Sequence, residues 1–324
     1  MPLVTSTYCA PGWLPGGHLQ TIWPARLVPL PQVAYRRERW PTPDGDFIDV
    51  DFAQPEPAAS EAPLLAMFHG LEGDSSSHYA RATMRHFADL GWRAAVVHFR
   101  GCSGEPNLLL RAYHSGDSEE GDWVLRTLHA RWPAAPLHAV GISLGGNMLA
   151  KWLGERGEEA RFVTSAASVG SPLDLVAGGH AIGRGFNLLY TKMFLATLKD
   201  KARDKAQRFG YAIDVEVLQR ARNLYEFDNL YTAPVHGFRD TIDYWTRASA
   251  KPLLRNVRVP HLVLNARNDP FVPAESLPGP DDVSSDVTLE QPDEGGHIGF
   301  ASGRFPGHLR FLPERFERFF SGRG

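Results

Sequence analysis

Gly141-Ile142-Ser143-Leu144-Gly145 sets a serine hydroxyl between two glycines, directly after the apolar run 137–142 and directly before a helix-forming stretch. G-x-S-x-G between a strand and a helix is the pattern of a nucleophile elbow. Small flanking residues let the backbone turn tightly and lift the hydroxyl above the end of a sheet. The helix N-terminus beneath it favours developing negative charge. A serine hydroxyl is a weak nucleophile until a base takes its proton, so a histidine and an orienting acid are required. On this scaffold they follow in the order serine, acid, histidine. Asp269 lies just past the apolar run 261–265, and His297 follows the run 287–291 on the glycine-flanked loop Gly295-Gly296-His297. Asp293 and Glu294 are nearer to His297 along the chain, but adjacency on a loop does not aim a carboxylate at the ring.

Attack on an acyl carbonyl creates an oxyanion that needs two backbone N–H donors. Leu144, the residue after the serine, is one. The other is expected from the loop after an early strand, where run 63–69 ends in His69-Gly70-Leu71-Glu72-Gly73. Gly70 lets that loop turn inward, and Leu71 is the expected donor. His69 is read chiefly as a support for the loop, and His69, Gly70 and His114 are the candidate substrate contacts. The expected chemistry is acyl transfer from an ester to Ser143 with His297 as base and Asp269 holding the imidazole, followed by hydrolysis of the acyl-enzyme. No H-E-x-x-H and no paired-cysteine spacing occurs, so neither a metal nor a cofactor is expected.

The elements that must position these groups are legible as alternation. Short apolar runs at 63–69, 93–99, 137–142, 162–169, 261–265 and 287–291 read as strands covered on both faces. Between them lie helical patterns. Ala80, Met84, Phe87 and Ala88 share one face and stop at Gly91; Asp117 and Glu120 have capping-box spacing ahead of Val124, Leu128 and Trp132. Residues 147–153 form a helix expected to end at Gly154, and Pro313 opens a last helix faced by Phe316, Phe319 and Phe320. This order predicts an α/β fold with a mostly parallel central sheet and helices on both faces.

Residues 172–250 break the alternation and hold no convincing strand. Phe186, Leu189, Tyr190, Met193 and Phe194 make a helical stripe there, and the charged stretch 199–208 reads as a solvated helix face. The expected division is an extension at 1–40, a catalytic core at 41–171 and 251–324, and a helical cap at 172–250.

Composition excludes other classes. The 324 residues are 43% hydrophobic and 22% charged, which fits a folded chain. A net charge of −3 excludes a uniformly basic nucleic-acid surface, and no apolar run approaches a membrane span. The first residues lack signal-peptide character, and two cysteines, Cys9 and Cys102, cannot make a disulfide framework. A cytoplasmic enzyme without stable membrane insertion is expected.

Further segments make the chain resemble the α/β-hydrolase superfamily, and within it the YheT-like group. His18-Leu19-Gln20-Thr21 with Trp23-Pro24 resembles that group's N-terminal signature. Phe99-Arg100-Gly101-Cys102-Ser103-Gly104, Asn107 and Tyr113-His114-Ser115-Gly116 resemble its segment before the nucleophile. Phe227-Asp228, Thr232-Ala233-Pro234, Gly237-Phe238 and Tyr244 resemble its cap. Asn265-Ala266, Asp269-Pro270-Phe271 and Gly296-His297-Ile298-Gly299-Phe300 match around the acid and base. The resemblance implies a carboxylesterase-type serine hydrolase, with relatives acting on lipid-like acyl esters. His69 and Asp74 also have the H-x-x-x-x-D spacing discussed for acyltransfer, read here as structural. Arg100 is expected to brace its loop against a carboxylate, and Cys102 to be a small buried side chain. The alternatives are a lipase or acyltransferase with the same triad, or a non-catalytic binding scaffold.

Overall fold

The computed structural model describes residues 2–57 and 59–322. Its strands are β1 (Leu3–Val4), β2 (Tyr35–Pro41), β3 (Phe47–Ala53), β4 (Leu64–Phe68), β5 (Arg93–Val97), β6 (Leu137–Ile142), β7 (Ser165–Val169), β8 (His261–Leu264) and β9 (Val287–Glu290). The helices of the core are α1 (Gly17–Arg26), α2 (His78–Asp89), α3 (Ser118–Arg131) and α4 (Leu144–Arg156). Then come α5 (Leu175–Ile182), α6 (Leu188–Phe209), α7 (Val215–Arg220), α8 (Leu224–Phe227), α9 (Ala233–Val235) and α10 (Thr241–Ala248), before the closing α11 (Phe311–Phe320).

The strands form one sheet in the order β1-β9-β8-β7-β6-β4-β5-β3-β2. β2 and β3 are antiparallel, as are β3 and β5; every other pair is parallel. The six predicted strands are β4 to β9. β4 to β8 are buried along their whole length, as their near-continuous apolar runs require. Run 162–169 starts as a strand only at Ser165, because Gly157–Phe162 coils into a 3₁₀ turn. On one face α3 and α4 bring Val124, Leu128, Leu149 and Trp152 into the core; on the other, α2 and α11 bring Met84, Phe87 and Phe316.

The β2–β3 hairpin was not expected from the sequence. β3 carries Asp49 and Asp51 inside a fully buried strand, which disguises its apolar alternation. Both are neutralised from β2: Arg39 forks onto Asp49 and Arg37 onto Asp51. Paired, bidentate geometry is what allows such charges to be buried.

Three local expectations are corrected. Asp117 and Glu120 do not form a capping box: Asp117 accepts from Arg111 and Glu120 from Arg100, since a guanidinium offers a stronger, charge-assisted bond than a backbone N–H. α4 runs through Gly154 and ends at Gly157, which has φ +52°. Gly154 is small for another reason: a Cβ there would lie 2.5 Å from the Leu253 carbonyl oxygen. The charged stretch 199–208 is not simply solvated. Lys205 is buried and donates to the Leu109 and Leu110 carbonyls, and Lys201 reaches Glu72. Burial pushes the Lys205 ammonium down to about 8.

Among the described residues, 172–250 contains helices and no strand. No helix of the described chain is long and apolar enough to cross a membrane. The sheet turns back on itself at β4, which lies between β5 and β6. Phe68 pairs with Gly141, Ile142 with Val169 and Leu264 with Glu290, so the carboxyl ends of β4, β6, β7, β8 and β9 lie along one edge. In open α/β sheets ligands gather at that edge, beside the reversal.

Candidate active site

Ser143 follows β6 and precedes α4 with φ +52° and ψ −115°. A non-glycine residue in this region costs about 1–3 kcal/mol and persists only where its surroundings enforce it. Here the Ser143 N–H donates to the Val169 carbonyl at 2.8 Å. Gly145 has no room for a side chain: a Cβ would lie 2.5 Å from the Phe68 carbonyl oxygen. The elbow is therefore wedged against the end of β4.

The loops after β8 and β9 bring two further side chains to this point. His297 Nε2 lies 3.0 Å from Ser143 Oγ, and His297 Nδ1 lies 2.8 Å from Asp269 Oδ2. The carboxylate accepts, so Nδ1 carries the proton and Nε2 is left as the acceptor for the serine hydroxyl. Asp269 also accepts from the Phe271 N–H through Oδ1, which fixes its plane. Asp293 and Glu294 do not reach the ring: Asp293 faces Arg267 and Glu294 accepts from Gln20. The arrangement can pass a proton from hydroxyl to imidazole while a buried carboxylate stabilises the resulting cation.

Leu71 and Leu144 both line the cavity beside Ser143, and neither backbone N–H has an acceptor among the described residues. Gly70 lines it as well, and its N–H donates to the Tyr79 hydroxyl. His69 does not line the cavity, which corrects its expected substrate contact. It is fully buried, donates through Nδ1 to the Gly70 carbonyl and accepts the Phe99 N–H at Nε2. Burial drives its pKa down to about 3, so it is a neutral strut for the loop. Asp74 turns its carboxylate to Ser76, so the H-x-x-x-x-D spacing makes no His–Asp pair. His114 is on the cavity wall, with Nδ1 accepting from the Gly116 N–H and burial holding it neutral, at about 3.

Arg100 braces its loop as expected, bonding Glu120, Asp44 and Asp46. Cys102 is buried, and its thiol is pushed up to about 12, too high for a thiolate at neutral pH.

The cavity has a volume of about 780 Å³. α1 supplies Ile22 to its wall, and the 172–250 helices supply Leu175, Met193, Phe194 and Leu224. A π-helical turn, Asp228–Thr232, adds Asp228 and Thr232; Asp228 accepts from Trp245 Nε1, and burial raises its pKa to about 6.

Sequence reasoning missed the residues that hold the site together. Gln20 Oε1 accepts from Asn268 Nδ2 and the Gly295 N–H, and Thr21 Oγ1 accepts the His297 N–H. α1 thus ties the loops of Asp269 and His297 to one another. The contact is tight: a Cβ on Gly17 would lie 2.0 Å from the Asn268 oxygen, and one on Gly299 1.7 Å from the Gln20 oxygen. No spacing rule exposes this; only the His18-Leu19-Gln20-Thr21 resemblance marked the segment. Glu72 was missed too. It has φ +54°, accepts from Tyr113 and Lys201, and follows Leu71.

Comparison with known proteins agrees with this architecture. Residues 63–303 match the alpha/beta hydrolase fold family. An Escherichia coli (strain K12) protein whose name calls it an esterase, YheT, is 38% identical over 288 residues, 88% of this chain and 84% of that one. The human protein named phospholipase ABHD3 is 30% identical and covers 98% of this chain and 79% of its own. The solved Pyrococcus furiosus esterase Pf2001 superposes with a TM-score of 0.56 at 14% identity, over 92% of this chain and 98% of its own. The chain belongs to the α/β-hydrolase family, in its YheT-like esterase and lipase branch.

Proposed function

We propose that the chain is a carboxylesterase-type serine hydrolase that cleaves esters with short to medium acyl chains through a Ser143-His297-Asp269 triad. The observation that carries this reading is the continuous hydrogen-bonded line from Asp269 through His297 to Ser143, opening onto a largely apolar cavity. Ser143 Oγ attacks the ester carbonyl as His297 Nε2 takes its proton. Asp269 keeps Nδ1 protonated and stabilises the imidazolium. The Leu71 and Leu144 N–H groups hold the oxyanion, worth about 3 kcal/mol per donor. The protonated imidazole returns its proton to the leaving alcohol, and water activated by His297 then cleaves the acyl-enzyme. Gly70 and His114 contact substrate, and His114 offers its Nε2–H as a neutral donor. Residues 172–250 act as a cap whose apolar side chains hold the acyl chain.

A fluorophosphonate probe is expected to label the protein, and Ser143→Ala to abolish both labelling and turnover. Full esterase activity in Ser143→Ala would sink the assignment. A second reading, a lipase acting on lipid esters, is favoured by the apolar cavity wall and by relatives named phospholipase and monoacylglycerol lipase. A chain-length series of nitrophenyl esters separates the two: a maximum at long chains selects the lipase.

A further inference from the structure

The mouth of the cavity lies between α1, the start of α6 and the loop at Ser76, which carry its exposed lining residues. Ala25 and Arg26 of α1 and Leu189 and Met193 of α6 line the cavity and are exposed at the surface. His18 joins the two helices: its ring lies 4.6 Å from that of Phe186, and Nδ1 is 3.2 Å from the Tyr190 hydroxyl. Outward from this mouth the surface stays apolar. Leu19 is 48% exposed, Leu27 56% and Phe186 55%. Leu19 and Trp23 of α1 and Leu27 just past its end follow i, i+4, i+8 spacing, which sets them along one side of the helix. Trp23 and Trp13 pack edge-on or tilted against Phe305, which is 67% exposed.

Away from Asp74 on the loop before α2, the segments around this mouth carry charge of one sign. Residues 2–34, 175–199 and 295–313, which include α1, the start of α6 and the loop of Phe305, contain no Asp or Glu, although the whole chain is net −3. Arg26, Arg184, Lys192, Arg304 and Arg310 in those segments are exposed, and none forms an ion pair among the described residues. Elsewhere on the molecule, exposed arginines are commonly paired with carboxylates, as Arg85 is with Asp89. Half-exposed Leu and Phe, with partly exposed Trp, on segments that also carry unpaired Lys and Arg is the composition of a surface that lies in a lipid headgroup region. A protein partner or a second copy of this chain, itself net negative, gives no reason for the apolar stripe to coincide with the cavity mouth.

We propose that the α1–α6 face docks on an anionic lipid surface, presenting the cavity mouth to the bilayer. The docking is peripheral: Leu19, Leu27, Phe186 and Phe305 enter the headgroup layer, and the five cations meet lipid phosphates. It rests on the proposed ester hydrolysis only for its purpose, since binding itself requires no turnover.

The test is co-sedimentation with large unilamellar vesicles of phosphatidylcholine alone and of phosphatidylcholine with phosphatidylglycerol, using wild-type and Ser143→Ala protein. Both proteins are expected to pellet with the anionic vesicles and to be released by high salt. Leu19→Glu with Phe186→Glu, and separately Arg184→Glu with Lys192→Glu, should each weaken binding by about tenfold or more. Turnover of a soluble short-chain nitrophenyl ester should be unchanged in both variants, because none of these four residues lines the cavity. Wild type remaining in the supernatant at every composition would overturn the proposal. So would equal binding by the variants, or a shift from dimer to monomer in Leu19→Glu with Phe186→Glu, which would make the face a self-association surface. Loss of turnover in Ser143→Ala, with vesicle binding retained, separates this surface from the catalytic reading.

Discussion

Gln20→Leu tests whether α1 holds the loops of Asp269 and His297 in place. Gln20 is fully buried, and its amide makes four hydrogen bonds: from Asn268 Nδ2 and the Gly295 N–H, and to the Leu14 carbonyl and Glu294 Oε1. Leucine keeps most of the volume and removes all four. Asn268 is only partly buried and Glu294 is exposed, so both recover water. The Gly295 N–H and Leu14 carbonyl are buried and do not. Each orphaned group costs about 1–3 kcal/mol, so a loss of about 3 kcal/mol is expected. That is a large part of a typical stability of about 5–15 kcal/mol, yet it leaves the protein folded. Gly295 is two residues from His297, so its release lets the imidazole drift from Ser143. A misplacement near 1 Å costs on the order of 100-fold in rate, and kcat/KM should fall about 10- to 100-fold. Urea denaturation gives the stability and nitrophenyl butyrate hydrolysis the rate. A Gln20→Leu protein within about 0.5 kcal/mol of wild type, with unchanged kcat/KM, would refute the view that α1 pins the base loop.

Other perturbations separate positioning from packing. Lys201→Met removes the cation that α6 lends to Glu72 next to Leu71; kcat should fall about tenfold with KM unchanged, and Lys201→Arg should restore part of it. Equal effects on KM, or none on kcat, would show the ion pair to be only a surface contact. Asp228 has a folded pKa of about 6, above its ordinary value of 3.8. A raised folded pKa means stability is fully present below pH 3.8 and is lost as pH rises through about 6, so Asp228→Asn should stabilise the protein at pH 7 by up to about 3 kcal/mol and by only about 0.5 kcal/mol at pH 4. Thermal melts at the two pH values check the sign. Gly299→Ala places a Cβ 1.7 Å from the Gln20 oxygen; a backbone shift costing about 2–3 kcal/mol is expected, read as a fall in Tm.

Much of the site was legible because its signals are local. Ser143 announces itself by glycines on either side and by its place between β6 and α4. Asp269 and His297 each follow a short apolar run, and a parallel sheet sends such loops to one edge. What was not legible is anything decided by a partner far along the chain. Arg39 with Asp49 and Arg37 with Asp51 hide β3, because charges that neutralise one another in space look like solvent-facing positions in a string. Lys201 and Lys205 look like a wet helix face until the carbonyls of 109–111 and the carboxylate of Glu72 meet them.

The sequence by itself determined the strand–helix alternation, the order of the proposed nucleophile, acid and base, and the loop expected to supply the second oxyanion donor. These rest on periodicity and on turn chemistry, which act over a few residues. Only the tertiary structure decided that His69 is a buried strut and not a substrate contact. It alone seated α1 on the loops of Asp269 and His297, and set the apolar, unpaired-cation face at the cavity mouth. Burial, hydrogen-bond geometry and charge pairing between segments hundreds of residues apart exist only once the chain has folded.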